Sequence, residues 1–268
     1  MNKIRQRITH ILRSPARTVK QLLYALAELV WPTRCVGCEK LGVLLCDSCR
    51  QSLPRIDQDL ACPRCGAPFG KLVCTECTPV HEPVSMAFSQ ARCTLEFTDL
   101  SRRLIVAYKD GIEERLAPLL AQLMCQAIPL EWRLWADVVT WIPSDEEAMR
   151  RRGFDHMALI ALSLSEQTGL PVAPLLHKQA RKDQRHLNRR QRMENMKAVF
   201  SLREPTAQAP QAPPKKQLSP MIDRRLSMKN IILIDDVLTT GATLDAAAQV
   251  LLGAGAQEIR VITLCRVW

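Results

Sequence analysis

The sequence predicts an α/β fold: a parallel sheet with helices on both faces, preceded by a small cysteine-rich metal-binding module. Three observations predict it. The runs Val138–Ile142, Ile231–Ile234 and Ile259–Val267 are mainly apolar and do not alternate, as expected of strands buried on both faces. Helical patterns at Asp99–Tyr108, Ile112–Ala127, Asp155–Thr168 and Leu244–Gly253 alternate with such strands, the signature of a doubly wound sheet. Ahead of them, four Cys-x-x-Cys pairs crowd between positions 35 and 77.

In chain order, residues 1–31 read as one or two amphipathic helices broken near Ser14-Pro15. Lys3, Arg5, Arg7, Arg13 and Arg17 precede the first acid, Glu28. A basic amphipathic helix suits a membrane surface or nucleic acid. Equally, Leu22, Leu23, Leu26 and Leu29 suit a helix packed on the protein body. Val19–Trp31 is too short to span a bilayer and is interrupted by Lys20 and Glu28. Residues 32–80 form the cysteine module and residues 84–268 the α/β domain. That domain opens on a predicted strand at Val84–Arg92 and has another at Pro171–Leu176. Residues 204–220, rich in Pro, Gln and Ala, read as a mobile insertion.

The chain has 268 residues, 47% hydrophobic and 24% charged, which is globular composition. Its net charge of +10 favours anionic partners: nucleic acid, phosphorylated metabolites or an acidic membrane. Aromatics are only 4%, which argues against an extended base-stacking platform.

The cysteine pairs are Cys35/Cys38, Cys46/Cys49, Cys62/Cys65 and Cys74/Cys77. Each pair points two thiolates at one ion, and two pairs complete a tetrahedral zinc site with Zn–S bonds of roughly 2.3 Å. Four pairs imply two structural zinc ions. Sequential pairing is simplest, and a cross-braced arrangement stays open. Four such pairs in a row argue against a redox dithiol, and iron–sulfur ligation uses other spacings. Gly37 and Gly66 fall where the turns want positive φ. Cys93, Cys125 and Cys265 sit in apolar contexts and read as buried thiols. His81 lies near the module, but eight cysteines leave it no vacancy. With no cleavable leader visible, the thiols predict a reducing cytoplasm, with contact at the inner face of the membrane as a further option.

Residues 231–243 carry the chemistry. The strand Ile231-Ile-Leu-Ile234 ends in paired carboxylates, Asp235 and Asp236. The turn Thr239-Thr240-Gly241-Ala242-Thr243 follows, with a helix expected from Leu244. Ligands of open α/β sheets bind at the carboxyl ends of strands. A turn of hydroxyls and glycine entering a helix offers backbone N–H groups and the helix dipole to a phosphate. The carboxylates suit ribose hydroxyls or Mg²⁺. This order of residues resembles the phosphoribosyl-diphosphate (PRPP) binding motif of type I phosphoribosyltransferases.

Two basic stretches add to the picture. Arg150, Arg151 and Arg152 with Gly153 lie beside an expected helix start and could grip a diphosphate or a nucleic-acid backbone. Between 178 and 203, nine cations face only Asp183 and Glu194, a one-sidedness that an anion would relieve. Arg189, Arg190 and Arg192 are its nucleic-acid candidates. His156, His177 and His186 stand isolated in the sequence.

Taken together, several motifs resemble the ComF family, including its GntX-like members: a double zinc ribbon fused to a type I phosphoribosyltransferase-like domain. They are Trp31-Pro-Thr-Arg-Cys35-x-x-Cys38, Arg102-Arg-Leu-Ile-x-x-Tyr108-Lys109-Asp-Gly111, Ile142-Pro143, and Arg151-Arg-Gly-Phe-Asp-His156. Leu187-x-x-Arg190-x-Arg192-x-x-Asn195 and Asp235–Thr243 complete the set. The resemblance covers about residues 20–268. It implies a cytoplasmic bacterial protein acting in single-stranded DNA uptake or processing during natural competence, with a competence helicase as partner. It places Asp235 and Asp236 as catalytic candidates against ribose hydroxyls or Mg²⁺. Thr239, Thr240, Gly241, Ala242 and Thr243 would hold the 5-phosphate, with Arg152 and Gly153 on the diphosphate side. An active Mg²⁺-dependent phosphoribosyltransferase with an unknown acceptor stays open. Where the family strand reads Val-Pro-Val-Pro, this chain has Thr140-Trp-Ile-Pro143 followed by Ser-Asp-Glu-Glu147. It also has Asp155 where the family has Asn. These carboxylates are expected to repel a diphosphate unless Mg²⁺ intervenes.

Overall fold

A computed structural model describes residues 32–78, 86–178, 199–203 and 229–268. The N-terminal segment 1–31, Arg189, Arg190 and Arg192, and the 204–220 insertion lie outside the described residues. Contacts divide the chain into Met1–Ser52 and Leu53–Trp268.

The first unit contains one zinc knuckle pair and a short helix, α1 (Asp47–Gln51), whose N-cap is Cys46. The Cys35 N–H donates to Lys40 O at 2.8 Å and Val36 N–H to Leu44 O at 3.0 Å, closing the turn. Positive φ falls on Glu39 and Gly42, not on the expected Gly37.

The second unit holds a parallel four-stranded sheet in the order β1-β6-β5-β2. The strands are β1 (Gln90–Glu96), β2 (Val138–Trp141), β5 (Asn230–Leu238) and β6 (Glu258–Arg266). The first strand lies later than the expected Val84–Arg92. Val172 bridges Val139 in parallel and extends the β2 edge. The short strands β3 (Leu176–Lys178) and β4 (Phe200–Leu202) form a separate antiparallel pair.

Between β1 and β2 come α2 (Asp99–Lys109), a 3₁₀ turn (Glu114–Leu116), α3 (Ala117–Ala127) and α4 (Leu130–Trp135). Helices α5 (Glu146–Arg152) and α6 (His156–Thr168) follow β2, and α7 (Ala242–Gly253) joins β5 to β6. Thr98 and Ser101 form a capping box at the start of α2, with Thr98 N–H donating to Ser101 Oγ at 2.7 Å.

The doubly buried reading of the strands holds. Ile231 and Leu233 share a core with Leu244, Ala247, Ala248 and Leu251 of α7. The alternate residues Ile232 and Ile234 are fully buried and face the other side, where α3 and α6 pack together against the sheet. After β2 the chain runs outward to Val172. After β5 it runs the opposite way to β6. The adjacent carboxyl ends of β2 and β5 are therefore a topological switch point, where ligands of such sheets bind.

Candidate functional site

Each cysteine quartet gathers sequentially: Cys35, Cys38, Cys46 and Cys49 form one group, and Cys62, Cys65, Cys74 and Cys77 the other. The Sγ atoms within each group lie within 4.8 Å of one another. Two measured pairs are 3.6 Å (Cys38–Cys46) and 3.5 Å (Cys65–Cys74) apart. A tetrahedron with Zn–S bonds of about 2.3 Å has an edge of about 3.8 Å, whereas a disulfide would bring the atoms to about 2.05 Å. Backbone N–H groups already support the thiolates: Cys46 N–H reaches Cys35 Sγ at 3.3 Å and Cys74 N–H reaches Cys62 Sγ at 3.4 Å. Burial raises the Cys35 thiol, but N–H donors from Cys46, Cys38 and Gly37 outweigh it and hold the group at about 6. These donor sets fit two structural Zn²⁺ ions, each closed by four thiolates.

The second site builds on β5. The strand runs through both acids to Leu238 instead of ending before them, and parallel pairing with β6, Asp235 beside Thr263 and Val237 beside Cys265, fixes their direction. Asp235 and Asp236 are 8% and 9% exposed. Asp236 N–H donates to Asp235 Oδ1 at 2.9 Å. Burial first, and the neighbouring Asp236 second, raise Asp235 well above the ordinary carboxylate range. Burial works against Asp236 too. The adjacent His156 ring and the charge of Lys109 prevail and hold it far below that range.

Both partners of Asp236 come from helix ends. Lys109, the last residue of α2, makes a short ion pair with Asp236 Oδ2. His156, the first residue of α6, has Nε2 3.7 Å from the same oxygen and Nδ1 2.9 Å from Ser144 Oγ. The buried Tyr108 hydroxyl donates to His156 O at 2.6 Å and so joins α2 to α6. His156 is thus not isolated. Its link to Asp236 spans eighty positions of sequence and leaves no spacing signal. Lys109 was visible only as part of the Tyr-Lys-Asp-Gly motif.

The turn after β5 is open. Thr239, Thr240 and Thr243 are exposed, and Gly241 is the left-handed N-cap of α7 at φ +81°. A Cβ at Gly241 would meet Met86 Sδ and Cε at 3.0 Å. The helix begins at Ala242, two residues before the expected start, so the turn lies at its N-terminus. Asp245 in the first turn of α7 accepts from Ala87 N–H at 2.6 Å and pins the segment beneath the glycine.

The turn after β2 differs from expectation. Asp145 is the N-cap of α5, accepting from Ala148 N–H at 2.8 Å, and lies 3.7 Å from Lys178 Nζ. That cap bond, more than the opposing burial, lowers its pKa. Asp155 caps α6 through Met157 and Ala158 N–H and accepts from Trp141 Nε1 at 3.1 Å. Glu146 and Glu147 fill the first turn of α5, while Arg150, Arg151 and Arg152 fill its last turn, just ahead of the start of α6 as expected. Both placements match the helix dipole. The extra carboxylates at 145 and 155 are thereby engaged by local donors. Arg152 reaches Asp110 Oδ1 at 3.3 Å, and Gly153 ends α5 at φ +80°. Arg152, Lys109 and the acids are thus linked through adjoining residues, while Gly153 serves the helix end.

No helix among the described residues is long and apolar enough to cross a membrane.

Comparison with known families matches residues 26–78 to the double zinc ribbon domain and residues 166–267 to the phosphoribosyl transferase domain. The chain is 28% identical over 209 residues to the DNA utilization protein YhgH of Salmonella typhi, covering 76% of this chain and 83% of that protein. It is 26% identical over 226 residues to YhgH of Escherichia coli, covering 83% and 90% of the two chains. It is 26% identical over 227 residues to the competence protein ComFC of Bacillus subtilis, covering 83% and 84%. A double zinc ribbon ahead of a phosphoribosyl transferase domain, with relatives named YhgH and ComFC, is consistent with the ComF family.

Proposed function

We propose that this protein binds PRPP or a related ribose phosphate at the carboxyl ends of β2 and β5, and acts in single-stranded DNA uptake or processing. The observation that carries the first part is the buried acid pair Asp235/Asp236 leading directly into the open Thr239–Thr243 turn. The carboxylates accept ribose hydroxyls, and the turn takes the 5-phosphate on backbone N–H groups. Arg152 stands on the diphosphate side. The names of the YhgH and ComFC relatives support the DNA role, as does the +10 net charge.

Asp235 and Asp236 supply the hard oxygen donors that Mg²⁺ takes, but Lys109 already neutralises Asp236. A Mg²⁺ ion brought with a sugar diphosphate would be held by Asp235 and Asp236 and would supply charge neutralisation there. Tyr108 and Ser144 orient His156, which with Lys109 holds Asp236 ionised.

Calorimetry tests this reading. PRPP with Mg²⁺ should bind saturably, Asp235→Asn and Asp236→Asn should abolish the heat, and Mg²⁺ alone should give none. Silence from the folded wild type with PRPP would refute the site. Single-stranded DNA should bind with a steep salt dependence that weakens when Arg189, Arg190 and Arg192 are neutralised. Salt-insensitive or absent binding would remove the DNA reading. The retained acid pair also favours a second reading, a Mg²⁺-dependent phosphoribosyltransferase of nucleotide or related metabolism. Release of diphosphate with an acceptor nucleophile present would establish that activity.

A further inference from the structure

Arg266, the last residue of β6, is 2% exposed and reaches in two directions. Its Nη1 donates to Thr239 O at 2.8 Å and contacts Leu238 O at 3.4 Å, at the point where β5 becomes the open threonine turn. The same nitrogen also donates to Val267 O. Its Nη2 donates to Glu76 Oε2 at 2.8 Å and lies 3.7 Å from Cys65 Sγ. One guanidinium therefore joins the second cysteine quartet to the backbone entering the turn. The quartet is seated firmly enough to serve as an anchor. A Cβ at Gly66 would lie 2.9 Å from Cys93 N and 3.1 Å from Ala91 O, so the knuckle lies directly against β1. Cys93 Sγ approaches Cys65 O at 3.6 Å and accepts from Thr263 Oγ1 at 3.1 Å.

We propose that Arg266 is a positioning residue for the phosphate turn, and that it makes the turn depend on the metal load of the Cys62–Cys77 site and not on that of the Cys35–Cys49 site. Four thiolates around Zn²⁺ carry a formal charge of about −2, and a buried guanidinium beside one sulfur offsets part of it. The same cation fixes the carbonyls of Leu238 and Thr239, which sets the direction of the N–H groups that follow. With the metal in place, both ends of the bridge are held. Without it the knuckle loosens, Arg266 loses its anchor at Cys65 and Glu76, and the turn gains freedom that a ligand must then remove. The ligand-affinity part of this proposal rests on the ribose-phosphate reading of the turn.

The test uses the full zinc-loaded chain with the variants Arg266→Gln, Glu76→Gln, Cys74→Ser and Cys49→Ser. Three quantities are read: amide exchange across residues 238–244 without ligand, zinc release to a chromophoric chelator, and calorimetric affinity for ribose 5-phosphate. Arg266→Gln should speed exchange in 238–244 by about tenfold and zinc release from one of the two sites by about 10- to 100-fold. It should also weaken ribose 5-phosphate by about tenfold, from the loss of one charge-assisted clamp. Cys74→Ser should reproduce the exchange and affinity changes, and combining it with Arg266→Gln should add little. Cys49→Ser should leave 238–244 unchanged. Should Cys74→Ser fail to fold, Glu76→Gln leaves the ligand cysteines intact and should show the same changes at about two- to threefold. Unchanged exchange in Arg266→Gln, multiplying effects in the double variant, or equal loosening by Cys49→Ser would each overturn the proposal. If wild type ignores ribose 5-phosphate, the site reading fails, while exchange and zinc release still decide the bridge.

Discussion

The two adjacent acids should respond in opposite senses to the same substitution. Asp236→Asn removes one member of a buried ion pair: the side chains of Asp236 and Lys109 are 12% and 24% exposed, with His156 Nε2 3.7 Å from the same oxygen. Removing one partner of such a pair costs about 3–5 kcal/mol. Lys109 retains some access to water, so a loss of about 2–3 kcal/mol is expected. Asp235→Asn keeps an oxygen for the Asp236 N–H and removes a carboxylate whose charge is opposed by burial and by Asp236. It should stabilise the free protein, since burial and the neighbouring Asp236 both oppose the Asp235 charge. The pH dependences follow from the directions of the shifts. Asp236 is depressed, so its contribution is complete above the ordinary 3.8 and is lost only as pH falls toward its lower folded value. The Asp236 contribution itself should therefore be constant from pH 6 to pH 9, and the Asp236→Asn deficit should narrow only where Asp235, relieved of its neighbour's charge, ionises more readily. Asp235 is raised, so wild type loses stability as pH climbs from 3.8 through the folded value, and the Asp235→Asn advantage should widen with pH until that carboxyl is ionised. Urea denaturation with zinc present, at pH 6, 7.5 and 9, measures both. Equal destabilisation by the two variants would refute this account of the acid pair.

Other outcomes follow from the same geometry. Mass spectrometry under native conditions should find two Zn²⁺ per chain, and chelation should lower the thermal midpoint; one ion or none would contradict the quartets. Gly241→Ala should cost about 1–2 kcal/mol, because it combines φ +81° with a 3.0 Å approach to Met86, and should weaken phosphate ligands in calorimetry. Asp155→Ala removes the α6 cap and the partner of Trp141 Nε1, and should lower stability by about 1–2 kcal/mol in denaturant titration. In filter binding of single-stranded DNA, each neutralised arginine that contacts phosphate should reduce the slope of log K against log salt by about 0.7.

The sheet and its acids were legible because their signals are local. Four consecutive isoleucine and leucine residues followed by Asp-Asp need no distant information to read as a buried strand with a polar exit. The cysteine pairs were legible because each knuckle closes within four residues. The partners of Asp236 were not, because Lys109 at the end of α2 and His156 at the start of α6 meet it only in the folded chain. The local partners of the carboxylates after Pro143 were not legible. Asp145 caps the short helix α5 and Asp155 caps α6, and a seven-residue helix with Arg-Arg-Arg at its end carries little apolar periodicity to announce it. Arg266 looked like an ordinary terminal strand residue. Only the parallel register, which sets it beside Leu238, puts its guanidinium under the threonine turn.

The close seating of the Cys62–Cys77 knuckle on β1 has a consequence for where this chain can be divided. A fragment beginning near residue 80 would bare the wall against which Gly66 rests and leave Arg266 without Glu76 or the Cys65 sulfur. A fragment beginning at Leu53 would keep them all. In folding terms, the second half of the zinc ribbon is part of the phosphoribosyltransferase-type core, and the seam of the protein runs through the middle of its ribbon pair.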